Sequence, residues 1–215
     1  SIDNIFNPLT KSSMNKLRAL FLLIFLFSIG GAIAQESGSL RELHQLLAKN
    51  LKYPTEMRQA DIEGPVVISI KIDPVGNMTG EYEFLSGNPG FREEIDRVVD
   101  KMKQNWKASY LKDKNYQLEY LMSFEFKLSK AGSFPPNPFL TSQKPNAISP
   151  LEKVNAALQE NPYFPNFYTN RAEILQKEGK EVLAEMDLNQ ANFLKEKMLA
   201  EIVIVGYLPS GPKSL

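Results

Sequence analysis

Cysteine and histidine, two residue types common in catalytic and metal sites, are almost absent from this chain, and its carboxylate pairs are not spaced for catalysis. The 215 residues include no cysteine and one histidine, His44, so thiol nucleophiles, disulfides and multi-histidine metal centres are excluded. Two carboxylate pairs are present. Glu93 and Glu94 are adjacent on a predicted helix, where neighbouring side chains do not face one another. Asp61 and Glu63 lie in a predicted turn.

The sequence also lacks a nucleophile beside a base, metal-ligand spacing and a phosphate-binding glycine loop. We therefore expect no catalytic residue, no metal and no cofactor. His44 falls within a predicted helix, and we interpret it as lying on or beside the helix face, not as a ligand or proton shuttle. Lys plus Arg and Asp plus Glu each number 25. This zero net charge argues against nucleic acid as a partner.

Residues 14–34 have the composition of a secretory signal peptide. A basic start precedes an apolar run that ends in the small-x-small sequence Ala32-Ile33-Ala34, as signal peptides do. We predict cleavage after Ala34. The alternative is a membrane anchor, which needs about 20 apolar residues, more than this run supplies. Residues 1–13 are interpreted as an upstream translation artefact outside the fold.

Hydrophobic periodicity predicts three elements after the signal. Leucines at helical spacing predict a helix over 39–50. Alternation on both sides of a turn that contains proline and glycine predicts a β-hairpin over 66–86. A stripe of apolar residues from Phe91 to Trp106 predicts a second helix.

The longest periodic segment follows, from Tyr116 to Leu128. Its alternation predicts a long strand with an aromatic-rich buried face and a mostly polar, solvated face. The order helix, hairpin, helix, strand predicts a small α+β domain over residues 39–128. Its helices would pack on one face of a largely antiparallel sheet.

The motifs of this domain, taken in order, resemble those of the TonB C-terminal domain. The resemblance covers roughly Leu40 to Leu128. It is carried by Tyr53-Pro54, Asp61-Ile62-Glu63-Gly64, Ile72-Asp73 with Gly76, and Trp106-Lys107-Ala108. The chain departs from the family pattern at Met57, Asp61 and Ala108, where Ala, Gly and Pro are more common. We interpret these departures as packing changes that leave the fold intact.

Most motif positions are predicted to have structural roles. Pro54 disfavours helical geometry at the residue before it, Gly64 permits a tight turn, and Trp106 fills the core. The residues assigned to this group are Tyr53, Pro54, Ile62, Gly64, Asp73, Gly76 and Trp106.

The resemblance implies a binding module and not an enzyme. TonB domains add an extended receptor segment to an exposed sheet edge, where main-chain hydrogen bonds give affinity. By analogy with the family, we predict that the long strand is this acceptor edge. The residues assigned to the partner contact are Tyr116, Gln117, Leu118, Glu119, Tyr120, Leu121, Met122, Ser123, Phe124 and Glu125.

The resemblance also implies a location and partners. The location is the periplasm, or the inner membrane if the signal stays uncleaved. The partners are a TonB-dependent outer-membrane receptor or its plug segment, and inner-membrane motor proteins. A second copy of the chain is a further candidate, because edge strands can pair with one another.

Two more regions follow the domain. Residues 129–149 are predicted to be a proline-rich linker, and residues 150–198 resemble a tetratricopeptide (TPR) repeat. Its packing positions are Tyr168, Ala172, Leu175, Gly179, Ala184, Leu188 and Ala191. Because about one and a half repeats are present and roughly three are usually needed for stability, we expect this unit to dock on the first domain, on a second copy or on a partner. A plain helical hairpin without a ligand is the alternative.

The tail, residues 199–215, contains the β-prone run Ala200–Tyr207. It resembles segments near the N-termini of certain TonB-dependent receptors, the class of segment that TonB domains capture. The alternative is an ordinary terminal strand or a strand packed on the first domain.

These features predict a periplasmic TonB-like module that captures receptor segments and is linked to TonB-dependent transport. The chain from Gln35 to Tyr53 reaches only ~60 Å when fully extended, so a self-sufficient energy transducer is not expected. The alternative is a periplasmic scaffold that acts through its TPR-like helices, with the TonB-like domain structural or used for dimerisation.

Overall fold

The structure, a computed structural model, describes residues 38–112, 114–129 and 148–207. The predicted signal peptide, the segment 1–13 before it and most of the predicted linker lie outside these ranges. Within the described ranges, no helix is both long enough and apolar enough to cross a membrane.

The described residues form six α-helices, two short 3-10 helices (Pro89–Phe91 and Ala108–Leu111) and four strands. The α-helices and strands are α1 (Gly38–Asn50), α2 (Thr55–Gln59), β1 (Gly64–Ile72), β2 (Met78–Ser86), α3 (Arg92–Gln104), β3 (Glu119–Ser129), α4 (Pro150–Glu160), α5 (Pro165–Lys177), α6 (Glu181–Lys197) and β4 (Met198–Tyr207). The strands form one sheet in the order β2-β1-β3-β4. β1 pairs antiparallel with β2 and β3, whereas β4 pairs parallel with β3. The predicted α+β class is confirmed.

One face of the sheet, here called the inner face, carries the main core. Even-numbered residues of β1 and β3, such as Ile68, Phe124 and Phe126, are fully buried on it. They pack with apolar side chains of α1 and α3, including Leu47 and Ile95. The predicted amphipathic helices therefore cover this face, as helices do in α+β domains.

The opposite, outer face is also covered, which corrects the expectation of a solvated face. Val67 and Leu121 on this face pack beneath Phe164, Leu194 and Met198. A strand that is buried on both faces carries apolar residues at successive positions. β1 has them at Val66, Val67 and Ile68, and the next residue, Ser69, is also buried. That run was interpreted as simple alternation.

Helices α4, α5 and α6 form one layer, here called the helical unit, and it docks on the first domain. Asn161, which ends α4, is buried; its Nδ2 donates to the Pro65 carbonyl at 2.8 Å and its Oδ1 accepts from the Ser86 hydroxyl. Of the three docking partners expected for this unit, the structure shows the first domain.

The helical unit has its own small core and a partly buried ion pair. Ala172, Leu175 and Ala184 pack between α5 and α6. Arg171 binds both carboxylate oxygens of Asp187 at 2.7 Å, which ties these two helices together. Six of the seven positions predicted for packing lie on α5 and α6, and Gly179 lies in the turn between them at a φ of +74°. Whether the unit is a true tetratricopeptide repeat stays a prediction.

Candidate partner-binding edge

β3 contains most of the residues predicted to form the acceptor edge, and the structure places this strand inside the sheet. Eight residues of β3 pair with β1 on one side, and nine pair with β4 on the other. The prediction of a free edge is therefore wrong for the sheet as the structure describes it. β3 is an edge only among the three strands β1–β3. The alternation that predicted β3 reports its two faces and says nothing about its backbone neighbours.

The predicted contact segment also begins too early. Tyr116, Gln117 and Leu118 precede β3 in irregular chain, where Tyr116 and Leu118 are exposed. The Gln117 side chain donates to the Glu196 carbonyl at 3.4 Å, near the start of β4. These three residues therefore do not belong to the acceptor strand.

The other seven predicted contact residues lie on β3, and most of their side chains are occupied. Tyr120, Met122 and Phe124 are buried in the inner-face core, while Leu121 and Ser123 lie beneath the helical unit. Glu119, also on β3, accepts a hydrogen bond from the Ser69 hydroxyl. A partner of β3 would therefore contact mainly its backbone. The Glu125 side chain beside it is half-buried.

β4 fills this backbone edge and completes the inner core. Ala200, Ile202 and Ile204 face inward in register with Met122, Phe124 and Phe126 of β3. Ala200 and Ile202 are buried, and Ile204 is partly buried. The segment supplies both main-chain hydrogen bonding and apolar side chains at alternate positions, the combination by which extended segments bind to sheet edges.

The far end of β4 lies against Tyr53. A Cβ at residue 206 would lie 2.7 Å from Tyr53 Cδ2, 2.9 Å from its Cγ and 3.1 Å from Leu128 Cδ2. Carbon atoms are attracted at about 3.5–4.0 Å, so only glycine fits at this position without movement. Gly206 is therefore required by a close approach and not by its φ.

The Tyr53 ring is held firmly in place. It makes edge contacts with Phe91 and Phe126, at centroid distances of 5.9 and 5.4 Å. Its hydroxyl donates to the Ile62 carbonyl at 2.6 Å. Burial, followed by the nearby charges of Glu63 and Asp61, raises the pKa of Tyr53 to about 12. The ring therefore remains a neutral hydrogen-bond donor at physiological pH.

The rest of the entry motif shapes the chain between α1 and β1. Pro54 directly precedes α2 with extended backbone, and Gly64 opens β1 at a φ of +135°. Asp61 has a φ of +55°, a left-handed conformation that Asp tolerates better than most residues. The family's usual glycine at this position therefore has a physical explanation, and so does its replacement by Asp.

Asp73, Gly76 and Trp106 meet at the hairpin turn. Asp73 Oδ1 accepts from the backbone N–H groups of Val75 and Asn77 at 3.0 and 2.7 Å, and Gly76 has a φ of +89°. Trp106 Nε1 donates to the Gly76 carbonyl at 2.9 Å. These contacts join the hairpin turn to the chain that follows α3.

The carboxylate pairs are engaged in structural contacts. Glu94 binds Arg97 and accepts from the Lys52 backbone N–H at 2.5 Å. Glu63 Oε1 accepts from the Leu128 backbone N–H at 2.7 Å, which holds the end of β3. Among the described residues, no cluster of three or more His, Cys, Asp or Glu side chains could hold a metal ion.

Sequence reasoning missed three of the residues that build this region: Asn161, Glu63 in its role at Leu128, and Gly206. Gly206 carried a usable signal, since an isolated glycine in a strand pattern often marks a close backbone approach. Asn161 carried no local signal in the sequence. Its bonds to Pro65 and Ser86 join segments that are far apart in sequence.

The candidate site is therefore the β3 edge of the sheet, which pairs with the extended segment β4. The family model described as Gram-negative bacterial TonB protein C-terminal matches residues 49–128, and this domain belongs to that family. The family is non-enzymatic, envelope-associated and related to TonB-dependent transport. The match ends within β3, so α4–α6 and β4 lie outside it. Searches of curated proteins and of solved structures each found no match.

Proposed function

We propose that this protein captures extended segments of TonB-dependent outer-membrane receptors by adding them as a strand to β3. One observation carries the proposal: β3 already pairs with a separate extended segment, β4, which lies outside the matched domain. This pairing, which covers nine residues of β3, supports strand addition at the same edge. Parallel pairing needs only backbone groups and alternate apolar side chains.

The location and further partners follow from the same proposal. A signal peptide at residues 14–34, cleaved after Ala34, would deliver the module to the periplasm, where receptor plug segments are accessible. An uncleaved signal would hold it at the inner membrane beside motor proteins. Binding would depend on the β3 backbone and on the inner-face pockets, with no metal or cofactor.

The test uses the full chain, because residues 40–128 alone would expose Val67 and Leu121 of the outer face and would lack β4. Hydrogen exchange is measured on the full chain carrying Ile202→Ala and Ile204→Ala, which weaken the competing β4. It is compared with and without a synthetic receptor plug-segment peptide, and with a scrambled peptide as control. We expect faster exchange in β4, which is displaced, and unchanged protection of β3, which changes partner. No change with the plug peptide, or the same change with the scrambled peptide, would refute the proposal.

A scaffold function is the second candidate, and one observation favours it. The helical unit has a cavity of about 360 Å³, lined by Leu151, Arg171, Leu183 and Met186 among others. Leu183 and Met186 are at least half-exposed beside it. If partners bind here, the exchange experiment will show new protection in α4–α6 and an unchanged β4.

A further inference from the structure

We propose that the β3 edge is selective for segments of the pattern branched aliphatic-x-branched aliphatic-x-glycine, in which x is any residue. We further propose that β4 is a resident segment of this pattern, which a partner must displace. The inference rests on the proposed function and deepens it. The pattern is Ile202-x-Ile204-x-Gly206, and each of its three fixed positions has a physical cause.

The two isoleucines occupy positions that demand apolar side chains. Ile202 pairs with Phe124 and Ile204 with Phe126, and both belong to or pack against the main core. β-Branched side chains suit such positions because they pack well on a pleated surface. A polar residue here would be buried without a hydrogen-bond partner, at a large cost.

The glycine position is selective because Tyr53 cannot move aside freely. Its ring packs against Phe91 and Phe126, and its hydroxyl is bonded to Ile62. A Cβ at residue 206 would overlap the ring. Tyr53 is therefore a specificity-determining residue, in addition to its structural role at the entry to the sheet.

The intervening positions do not select. The outward-facing side chains of Val203 and Val205 are 55% and 46% exposed, and Tyr207 is 67% exposed. The helical unit covers the outer face only near the start of β4, at Met198. Different residues can therefore stand at the intervening positions without loss of core packing.

The two ends of β4 differ in how they are held, which suggests where exchange begins. At the start, Met198 is buried and its carbonyl accepts from Lys114 Nζ at 2.9 Å. At the other end, Tyr207 is exposed. An incoming segment would therefore replace the Gly206 end first and then advance towards Ala200.

The test uses the full chain and a labelled synthetic peptide with the sequence of residues 198–207. In the unmodified chain the tethered β4 competes at high effective concentration, so we expect almost no binding. The double variant Ile202→Ala, Ile204→Ala weakens β4 and should bind the peptide about a hundredfold more tightly. Val203→Ala, Val205→Ala changes the same strand on its exposed face and should bind like the unmodified chain.

The selectivity is read from three altered peptides on the weakened chain. A peptide with valine in place of the glycine that corresponds to Gly206 should bind at least tenfold more weakly. A peptide with alanine in place of both isoleucines should also bind at least tenfold more weakly. Serine at the two valine positions should change affinity less than threefold. Equal binding of all peptides would overturn the proposal, as would equal binding by both double variants.

Folding of each variant is checked by circular dichroism. Gly206→Ala is the second variant, because it loosens β4 without removing core volume and should raise peptide binding about tenfold. No rise with this folded variant would overturn the proposal even if the isoleucine variant fails to fold. Binding of the 198–207 peptide without binding of receptor segments would refute the proposed function and leave the selectivity intact.

Discussion

The contact between Gly206 and Tyr53 gives a prediction whose size follows from the structure. In Gly206→Ala the new Cβ would meet the Tyr53 ring at 2.7 and 2.9 Å, about 1 Å inside the favourable carbon–carbon distance. Extra volume in a packed core typically costs about 1–3 kcal/mol. Alanine also lowers the conformational entropy of the unfolded chain, which stabilises the folded state by about 0.4–1 kcal/mol. We expect a net loss of about 1–2 kcal/mol.

The assay combines urea unfolding with hydrogen exchange across residues 200–207. If the loss is local to β4, its amide protection falls about tenfold for each 1.4 kcal/mol. Val205→Ala, on the exposed face of the same strand, serves as the control and should change stability by less than about 0.5 kcal/mol.

A double-mutant cycle with Tyr53→Ala identifies the cause. Removal of the ring leaves space for the new methyl group, so Gly206→Ala should cost almost nothing in that background. If Gly206→Ala leaves the free energy of unfolding unchanged, or lowers it equally with and without the Tyr53 ring, Tyr53 does not limit side-chain size at residue 206.

Three further predictions concern the docking of the helical unit, its ion pair and the hairpin turn. Urea unfolding measures the first two. Asn161→Ala leaves the Ser86 hydroxyl and Pro65 carbonyl unpaired and should cost about 1–3 kcal/mol, whereas Gln159→Ala on the exposed side of α4 should be neutral; equal effects would contradict the docking role. Asp187→Ala removes two hydrogen bonds from the guanidinium of Arg171, whose side chain is 28% exposed and keeps its bond to Asn155, so it should cost about 1–2 kcal/mol; no measurable loss would contradict the role of this ion pair. Hydrogen bonds from Asn77 lower the pKa of Asp73 in the folded protein. The Asp73 carboxylate therefore stabilises the fold above its unfolded-chain pKa of about 3.9, and this stabilisation is lost as pH falls through the folded pKa. Asp73→Asn should remove this part of the acid dependence of stability in a pH series, and an unchanged profile would count against it.

The local elements were predictable because their causes are local. The hairpin depends on Asp73 and Gly76, whose turn chemistry is specific. Helix α3 follows from a clean apolar stripe. Likewise, Tyr53-Pro54 marked the entry to the sheet. In each case the deciding residues lie within one element or one turn of each other.

The acceptor edge was not predictable in the same way. β3 and β4 pair in parallel through a long crossover that includes the helical unit, and periodicity identifies a strand without identifying its neighbours. The close contact of Gly206 with Tyr53 arises only after the sheet has formed. The tail was correctly identified as β-prone, with packing on the first domain as one open alternative, and the structure shows that packing.

Strand addition at β3 is the central claim, and disulfide trapping tests it most directly, because the chain has no native cysteine. Lys127→Cys is placed on β3, beside Val205 in the register, in the weakened Ile202→Ala, Ile204→Ala chain. Glu83→Cys on the opposite edge strand, β2, is the matched control. We expect that a receptor plug-segment peptide carrying one cysteine crosslinks to residue 127 and not to residue 83. Crosslinking to both residues equally, or to residue 83 alone, would contradict strand addition at β3.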